Sequence, residues 1–538
     1  MKTRALVAAV VLLTLTITAA TFVQVIGHQA RLIHEIPLAG KRVDILLHKH
    51  AEDHLSYLAR ITRGQAGRIL FRETFVISDH TVKPIWLLYT VAGALSGPFR
   101  LSPAVVYQIL RVAMIVFFVW ATYVLSLTVL KSKVWALVAT IVALIVPIPP
   151  NALYRQDIAM SFTNWWNDFS VVGRLDAVPH HLAELACLYL AIVAFIRFVE
   201  SGRNRYLVGS SIAATLAVLM IPQSAALYFF LIGSYILWQG VIVFRKKRLP
   251  RDLSKLLRIA GVFVLPLLAI LSILLTTRSS VWREGAIWEI AFWQRDPWIW
   301  YHFFISFIFL WPLAYIGFVK NIRRTPVPSL LLGVWVIFPF VFGPVLPILK
   351  ISSSGRIIQT AGAFVPLAIL ATIALRDMVR SPAGRSLALI WLVLTLIFAS
   401  SNIYSYAVTK WFTTVEEPMS DIFYPPTAYI DAAAWVKRNV PRDATIVAGP
   451  ELGSVIGAFA PVFVYVGDNT HGGNWDLVET SHWAFYTGKM AESTAHVWLT
   501  GHGVSYVVLD PFFHQTNLPY SFLTPLWQSG NLVIYKVK

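Results

Sequence analysis

Long apolar runs dominate the chain and set its first reading. A helix needs about 20 apolar residues to cross a bilayer. Runs of that kind fall near 5–27, 102–130, 134–149, 179–199, 205–222, 224–244, 256–276, 299–319, 327–349, 357–375 and 384–403, which predicts about 11 transmembrane helices. The run at 84–97 is shorter and follows Lys83-Pro84, so a re-entrant or interfacial helix is expected there, with a full span as the alternative. Residues 45–63 show a different period. Leu47, Ala51, Leu55, Leu58 and Thr62 form one stripe, and Lys49, Asp53, Ser56, Arg60 and Arg63 form the other. That is an amphipathic helix, expected to lie in the interface plane with its polar face toward water.

The pattern changes again after about residue 410. Pro425 precedes a helical stretch over 428–438, a second short helix starts at Glu451, and strand-like runs occupy 444–448, 462–466, 504–509 and 531–536. Helices alternating with short apolar strands predict a small α/β domain with a largely parallel sheet. The expected layout is a polytopic α-helical membrane domain over 1–403, with a first outer loop at 28–101, and a soluble α/β domain over 404–538.

Composition agrees with a membrane protein. Of 538 residues, 57% are hydrophobic and only 13% charged, against about 25% charged in soluble domains. The formal charge of +18 first suggests nucleic acid, but its distribution does not. With the N-terminus inside, the connections on that side hold 20 basic residues against three acidic ones, Glu200, Asp252 and Asp377. Nearly all the excess charge therefore serves as a positive-inside signal. It places the N-terminus in the cytoplasm and the C-terminal domain outside, in a multi-pass plasma or inner membrane protein whose lipid partner is the bilayer and not a nucleic acid. Met1-Lys2-Thr3-Arg4 and Thr18-Ala19-Ala20 have features of a signal peptide, but the run continues to Ile26 and predicts a retained anchor. The single cysteine, Cys187, excludes an intrachain disulfide framework.

The chemistry-bearing residues collect on the outer side. All 14 histidines fall in outer segments or near the outer ends of spans. His50 and His54 have the i, i+4 spacing of a metal pair, with surface histidines, His48 among them, as the plainer reading. Residues 164–168 read Asn-Trp-Trp-Asn-Asp, and Arg174, Asp176, His180 and His181 lead into the fourth span. An acid and two histidines at a helix mouth suit either a phosphate or hydroxyl site, or the capping of the span. Trp282, Trp288, Trp293, Trp298, Trp300 and Tyr301 form an expected interfacial belt. Arg356, after the 352–355 Ser-Ser-Ser-Gly turn, matches a lipid phosphate or a snorkelling arginine. Arg111 and Glu184 are the clearest charges within spans. No DxD, HExxH, GxSxG or Walker sequence is present.

Three local features carry a resemblance. An acid-bearing segment, Glu52-Asp53-His54-Leu55-Ser56-Tyr57-Leu58, follows soon after the first span. Lys83-Pro84-Ile85-Trp86-Leu87-Leu88-Tyr89 then leads to Gly93-Ala94-Leu95-Ser96-Gly97. Next, Leu101-Ser102-Pro103 enters the second span with Arg111 inside it. In these and in its layout the chain resembles membrane glycosyltransferases of the GT-C superfamily, the group of protein mannosyltransferases, lipid A aminoarabinose transferases and oligosaccharyltransferases. It reads Lys-Pro-Ile where several of those have Lys-Pro-Pro, and it lacks the paired-acid metal motif of the oligosaccharyltransferases.

The resemblance implies a polyprenyl-phosphate sugar donor and a glycan, lipid or protein acceptor outside the cytoplasm. It implies Asp53 as base, Asp176 as a second acid, and Lys83, His180, His181 and Arg356 as partners of the donor phosphate. Glu52, Tyr57, Asp79 and His80 are candidate supporting residues. It implies no particular cofactor, and assistance by a divalent cation stays open. A polymerase or ligase using polyprenyl-diphosphate glycans, and a non-enzymatic transport or assembly protein, are the alternatives.

Overall fold

A computed structural model describes residues 2–34, 42–48, 51–70, 72–75, 82, 84–147, 171–246, 256–276, 304, 307–348, 362–416, 421–465, 475–510, 513 and 517–538. They form two compact units. One comprises residues 1–23, 111–273 and 288–410, and the other 24–110, 274–287 and 411–538, so the segment 24–110 groups with the C-terminal region.

The helices, in chain order, are α1 (Lys2–Thr21), α2 (Val23–His34), α3 (Ala51–Gln65), α4 (Leu87–Ser96), α5 (Pro103–Leu130), α6 (Lys133–Ile145), α7 (Pro179–Ser201) and α8 (Asn204–Met220). They continue with α9 (Ser224–Lys246), α10 (Val264–Thr276), α11 (Trp311–Asn321), α12 (Pro326–Ile348), α13 (Phe364–Met378) and α14 (Pro382–Glu416). Among the described residues, six helices are long and apolar enough to cross a membrane. Their surfaces show why. On α5, Val105, Ile109, Val112, Val116 and Trp120 are exposed in one stripe at helical spacing, while Tyr107, Arg111, Phe118 and Leu125 on the other side are buried. Exposed apolar stripes on α1, α5, α9, α10 and α14 would be a large unsatisfied patch in water, and hydrocarbon is their natural solvent. The protein is an integral membrane protein.

The helices of the first unit share one apolar core, drawing on Phe118 of α5, Leu188 of α7, Trp335 of α12 and Leu367 of α13. Small and polar residues bring them close, as in membrane interiors generally. A Cβ on Gly317 of α11 would lie 1.9 Å from the Leu370 carbonyl of α13. Ser210 of α8 donates to the Ala191 carbonyl of α7 at 2.8 Å. The first apolar run holds two helices, because α1 ends at Thr21 and α2 carries on to His34. At the break the Thr21 carbonyl accepts a hydrogen bond from Arg111 at 2.7 Å, a side-chain donor set into the helical ladder.

The C-terminal region continues with α15 (Thr427–Asn439), β1 (Thr445–Val447), α16 (Pro450–Phe459), β2 (Phe463–Val464), α17 (Trp475–Tyr486), α18 (Glu492–Gly501), β3 (Val504–Leu509), β4 (Leu523–Ser529) and β5 (Leu532–Val537). The sheet order is β2-β1-β3-β5-β4. β1 pairs in parallel with β2 and β3, whereas β5 pairs antiparallel with β3 and β4. The sheet is therefore mixed, and the expectation of a largely parallel one is corrected. The overlooked strand is β4, an edge strand that carries Pro525, which is where a sheet tolerates proline; Gly530 at φ 60° turns it into β5. Alternation along the strands feeds two cores. Ile446, Val508 and Ile534 face α15 and α16, while Val447, Val507 and Val533 face α17 and α18.

Candidate active site

The amphipathic segment forms α3, but its polar stripe does not face water. Ser56, Arg60 and Arg63 are all buried, which corrects the expectation of a helix lying on the interface. Two neighbours cover it. Helix α4 crosses so closely that a Cβ on Gly64 would lie 2.0 Å from the Thr90 carbonyl, and one on Gly93 would lie 2.1 Å from the Ile61 carbonyl. The α/β domain covers the rest. The Thr62 hydroxyl donates to the Ala458 carbonyl at 2.5 Å, and Arg63 donates to Asp443 at 2.9 Å and to the Val462 carbonyl at 3.3 Å. Burial lowers the Arg63 pKa from its ordinary value, and the Asp443 charge opposes that shift.

Asp53 lies in the first turn of α3 and is half-buried. No hydrogen bond or ion pair joins it to a described residue. The unsatisfied N–H groups and positive dipole end of a first turn favour a carboxylate there. One turn on, Tyr57 stacks on Tyr89 with centroids 4.8 Å apart and on Tyr107 at 6.0 Å. The Arg60 guanidinium sits 5.5 Å over the Tyr57 ring and 4.2 Å over Trp86. Trp86 caps α4 with a left-handed backbone, φ 54°, a conformation costly for a bulky side chain.

Histidines 48 and 54 are not on the surface. His48 Nδ1 and the Tyr107 hydroxyl hydrogen-bond at 2.8 Å, and His54 Nε2 donates to the Ile45 carbonyl at 3.1 Å. Both rings are buried. His50, the other half of the i, i+4 pair with His54, lies outside the described residues. Among the described residues no three His, Cys, Asp or Glu side chains converge to hold a metal.

In the membrane unit, Asp176 is 1% exposed. It accepts hydrogen bonds from Arg111 at 2.8 Å and from the Tyr406 hydroxyl of α14. Arg111, itself fully buried, also stacks over Phe22 at 4.6 Å. Arg174 donates to the Ala143 carbonyl at 3.1 Å. His180 and His181 meet edge to face at 4.6 Å in the first turn of α7, and farther along that helix Glu184 accepts from the Ser224 hydroxyl. The structure thus brings Asp176 together with Arg111, which the sequence marked only as a charge within a span. Tyr406 was not singled out at all, since a tyrosine near the end of a span reads as an interfacial anchor. Asp79, His80, Lys83 and Arg356 lie outside the described residues. So do the Glu52 side chain, the 164–168 segment and the tryptophans of 282–300.

Neither a family model nor a curated protein matches the chain by sequence. Solved structures do match its fold. ArnT from Cupriavidus metallidurans, bound to undecaprenyl phosphate, superposes with a TM-score of 0.51 at 11% identity, covering 98% of both chains. The archaeal oligosaccharyltransferase AglB from Archaeoglobus fulgidus, in complex with an inhibitory peptide and a dolichol-phosphate, gives 0.50 at 13% identity. That match covers 92% of this chain and 68% of AglB. The chain has the GT-C fold. Helices α3 and α4 lie between α2 and α5, with Asp53 in the first turn of α3.

Proposed function

We propose that this protein is a membrane glycosyltransferase that moves a sugar from a polyprenyl-phosphate donor to an acceptor outside the cytoplasm. The observation that carries the reading is a carboxylate, Asp53, that has no partner among the described residues and lies in the first turn of a buried helix of a GT-C fold. The polyprenyl phosphates bound by ArnT and AglB support a lipid-linked donor of the same chemistry. We assign the chain a cytoplasmic N-terminus, about 11 spans within 1–403, and an extracytoplasmic domain over 404–538, in the plasma or inner membrane.

The chemistry divides among few groups. Breaking the bond between the anomeric carbon and the phosphate oxygen builds positive charge on the sugar and negative charge on the departing phosphate. Asp53 takes the acceptor proton as the acceptor oxygen or nitrogen closes on the anomeric carbon. Lys83, His180, His181 and Arg356 are assigned to the phosphate, where cations stabilise the growing charge. A single displacement inverts the anomeric centre. Asp176, with Arg111 and Tyr406 both on its oxygens, is better suited to holding α5, α7 and α14 in register than to accepting a substrate proton. Glu52, Tyr57, Asp79 and His80 support the base and the sugar.

The test is transfer by the full chain in nanodiscs, with Asp53→Asn beside the wild type. Asp53→Asn is expected to fold and to lose about 100- to 10,000-fold in kcat, the usual contribution of a general base. Undiminished transfer by that variant would remove Asp53 from the role, and an EDTA arm reads any dependence on a divalent ion.

A further inference from the structure

Helix α3 is bound into the C-terminal domain far more thoroughly than a loop helix needs to be. Ala59 of α3, and Phe75 just beyond it, belong to the same apolar core as Ile446, Val455 and Val464. The Thr74 carbonyl accepts the Val464 amide at 2.9 Å, adding a main-chain bond to the edge strand β2. Gly457 of α16 leaves room for this, because a Cβ there would come within 2.5 Å of the Phe75 ring. Asp443 stands in the loop before β1 with a left-handed backbone, φ 64°. From there it bridges Arg63 at 2.9 Å and Arg68 at 2.5 Å. Its neighbour Arg442 donates to the Ala66 carbonyl at 2.9 Å. The second half of α3 and the turn after it are therefore held by side-chain bonds, a main-chain bond and a shared core.

Asp53 lies ten residues before Arg63 on the same helix, about 15 Å along its axis at 1.5 Å per residue. A hydrogen-bonded helix of this length transmits a rotation or shift from one end to the other. We propose that the C-terminal α/β domain is the mount of the base: through the bridge from Asp443 to Arg63 and Arg68 it sets where α3 presents Asp53. Asp443 and Arg63 are positioning residues in this arrangement, because neither touches the reacting atoms. The inference rests on Asp53 being the base. It gives the domain a task in every turnover, whichever acceptor is used.

The test uses the full chain in nanodiscs with Asp443→Asn, which tolerates the left-handed backbone and removes the charge, and with Asp443→Glu, which keeps it. Two quantities are read: steady-state transfer kinetics, and amide hydrogen exchange across α3 and α5. Misplacing a catalytic group by about 1 Å costs up to ~100-fold. Asp443→Asn is therefore expected to lower kcat about 10- to 100-fold with the donor KM held within about twofold. Exchange over 52–58 should rise at least about tenfold while α5 stays protected. Asp443→Glu should recover most of both. Unchanged kcat in Asp443→Asn, with or without faster exchange in α3, overturns the proposal. A raised KM at constant kcat overturns it too, and points to a domain that binds acceptor. Loss of protection in α5 as well means general unfolding and overturns the assignment of Asp443 as a local mount. Absence of transfer by folded wild type is a separate outcome, which defeats the glycosyltransferase reading itself.

Discussion

Arg111 and Asp176 are both fully buried and lie 2.8 Å apart. Taking one charge away leaves the other buried without its counter-ion, which typically costs about 3–5 kcal/mol. Asp176→Asn should thus lower the unfolding midpoint clearly in detergent, and Arg111→Met combined with it should recover part of the loss. Tyr406→Phe removes one hydrogen bond to a charged group and should cost about 1.5–3 kcal/mol. The thermal unfolding midpoints of these proteins and of Arg111→Met alone check this series, and strictly additive losses in the double variant would deny the coupling. Outside the membrane, His482 of α17 donates from Nε2 to the Ala448 carbonyl at 2.8 Å, and burial depresses its pKa to about 4. Its unfolded value is near 6.5, so between about 4 and 6.5 the unfolded chain binds the extra proton and stability falls as the pH falls. The contribution is complete above about 6.5 and gone below about 4, amounting to roughly 3 kcal/mol. His482→Gln keeps a donor without that titration. Hydrogen exchange of β1 and β3 from pH 7 to pH 4.5 should steepen in the wild type and flatten in the variant.

The α3–α4 pair shows how far elements were legible in the sequence and where that reading stopped. The 3.6-residue period located α3, and the short run after Lys83-Pro84 located α4 as a helix of 10 residues. What the period could not supply was the partner of the polar stripe. A stripe holding Ser56, Arg60 and Arg63 looks the same whether water or a folded domain lies against it, and the contacts that tie this helix to the domain span 380 to 399 residues of sequence. Only the structure shows Gly64 and Gly93 interlocked on opposite backbones. In the sheet, β3 and β5 were readable from unbroken apolar runs, whereas Pro525 concealed β4 and the polar composition of 492–501 concealed α18. Gly93→Ala must push α4 off α3, and such overpacking costs about 1–3 kcal/mol. Since α4 also carries Tyr89 of the ring stack beside Asp53, transfer should fall more steeply than stability. Normal kcat in a destabilised Gly93→Ala protein would separate the stack from the chemistry.

At the scale of the whole molecule, the excess of basic residues on one set of connections and the apolar runs pointed to a membrane protein before any coordinate was known. The exposed apolar stripes of α1, α5 and α14 bear this out. The GT-C fold was legible too, through the Glu52–Leu58, Lys83–Gly97 and Leu101–Pro103 segments, and the superpositions on ArnT and AglB agree with it. The Asp176–Arg111–Tyr406 cluster was not, because Asp176, in the turn before α7, meets residues of α5 and α14 that lie 65 and 230 positions away in the chain and no local spacing encodes such a meeting. The central claim is the donor. Purified wild-type protein in nanodiscs, supplied with a panel of radiolabelled polyprenyl-monophosphate sugars and an envelope extract as acceptor, tests it most directly. The account predicts that label from one donor leaves the lipid fraction for an acceptor while free polyprenyl phosphate accumulates. If folded protein consumes none of the donors, or only polyprenyl-diphosphate glycans, the account is contradicted.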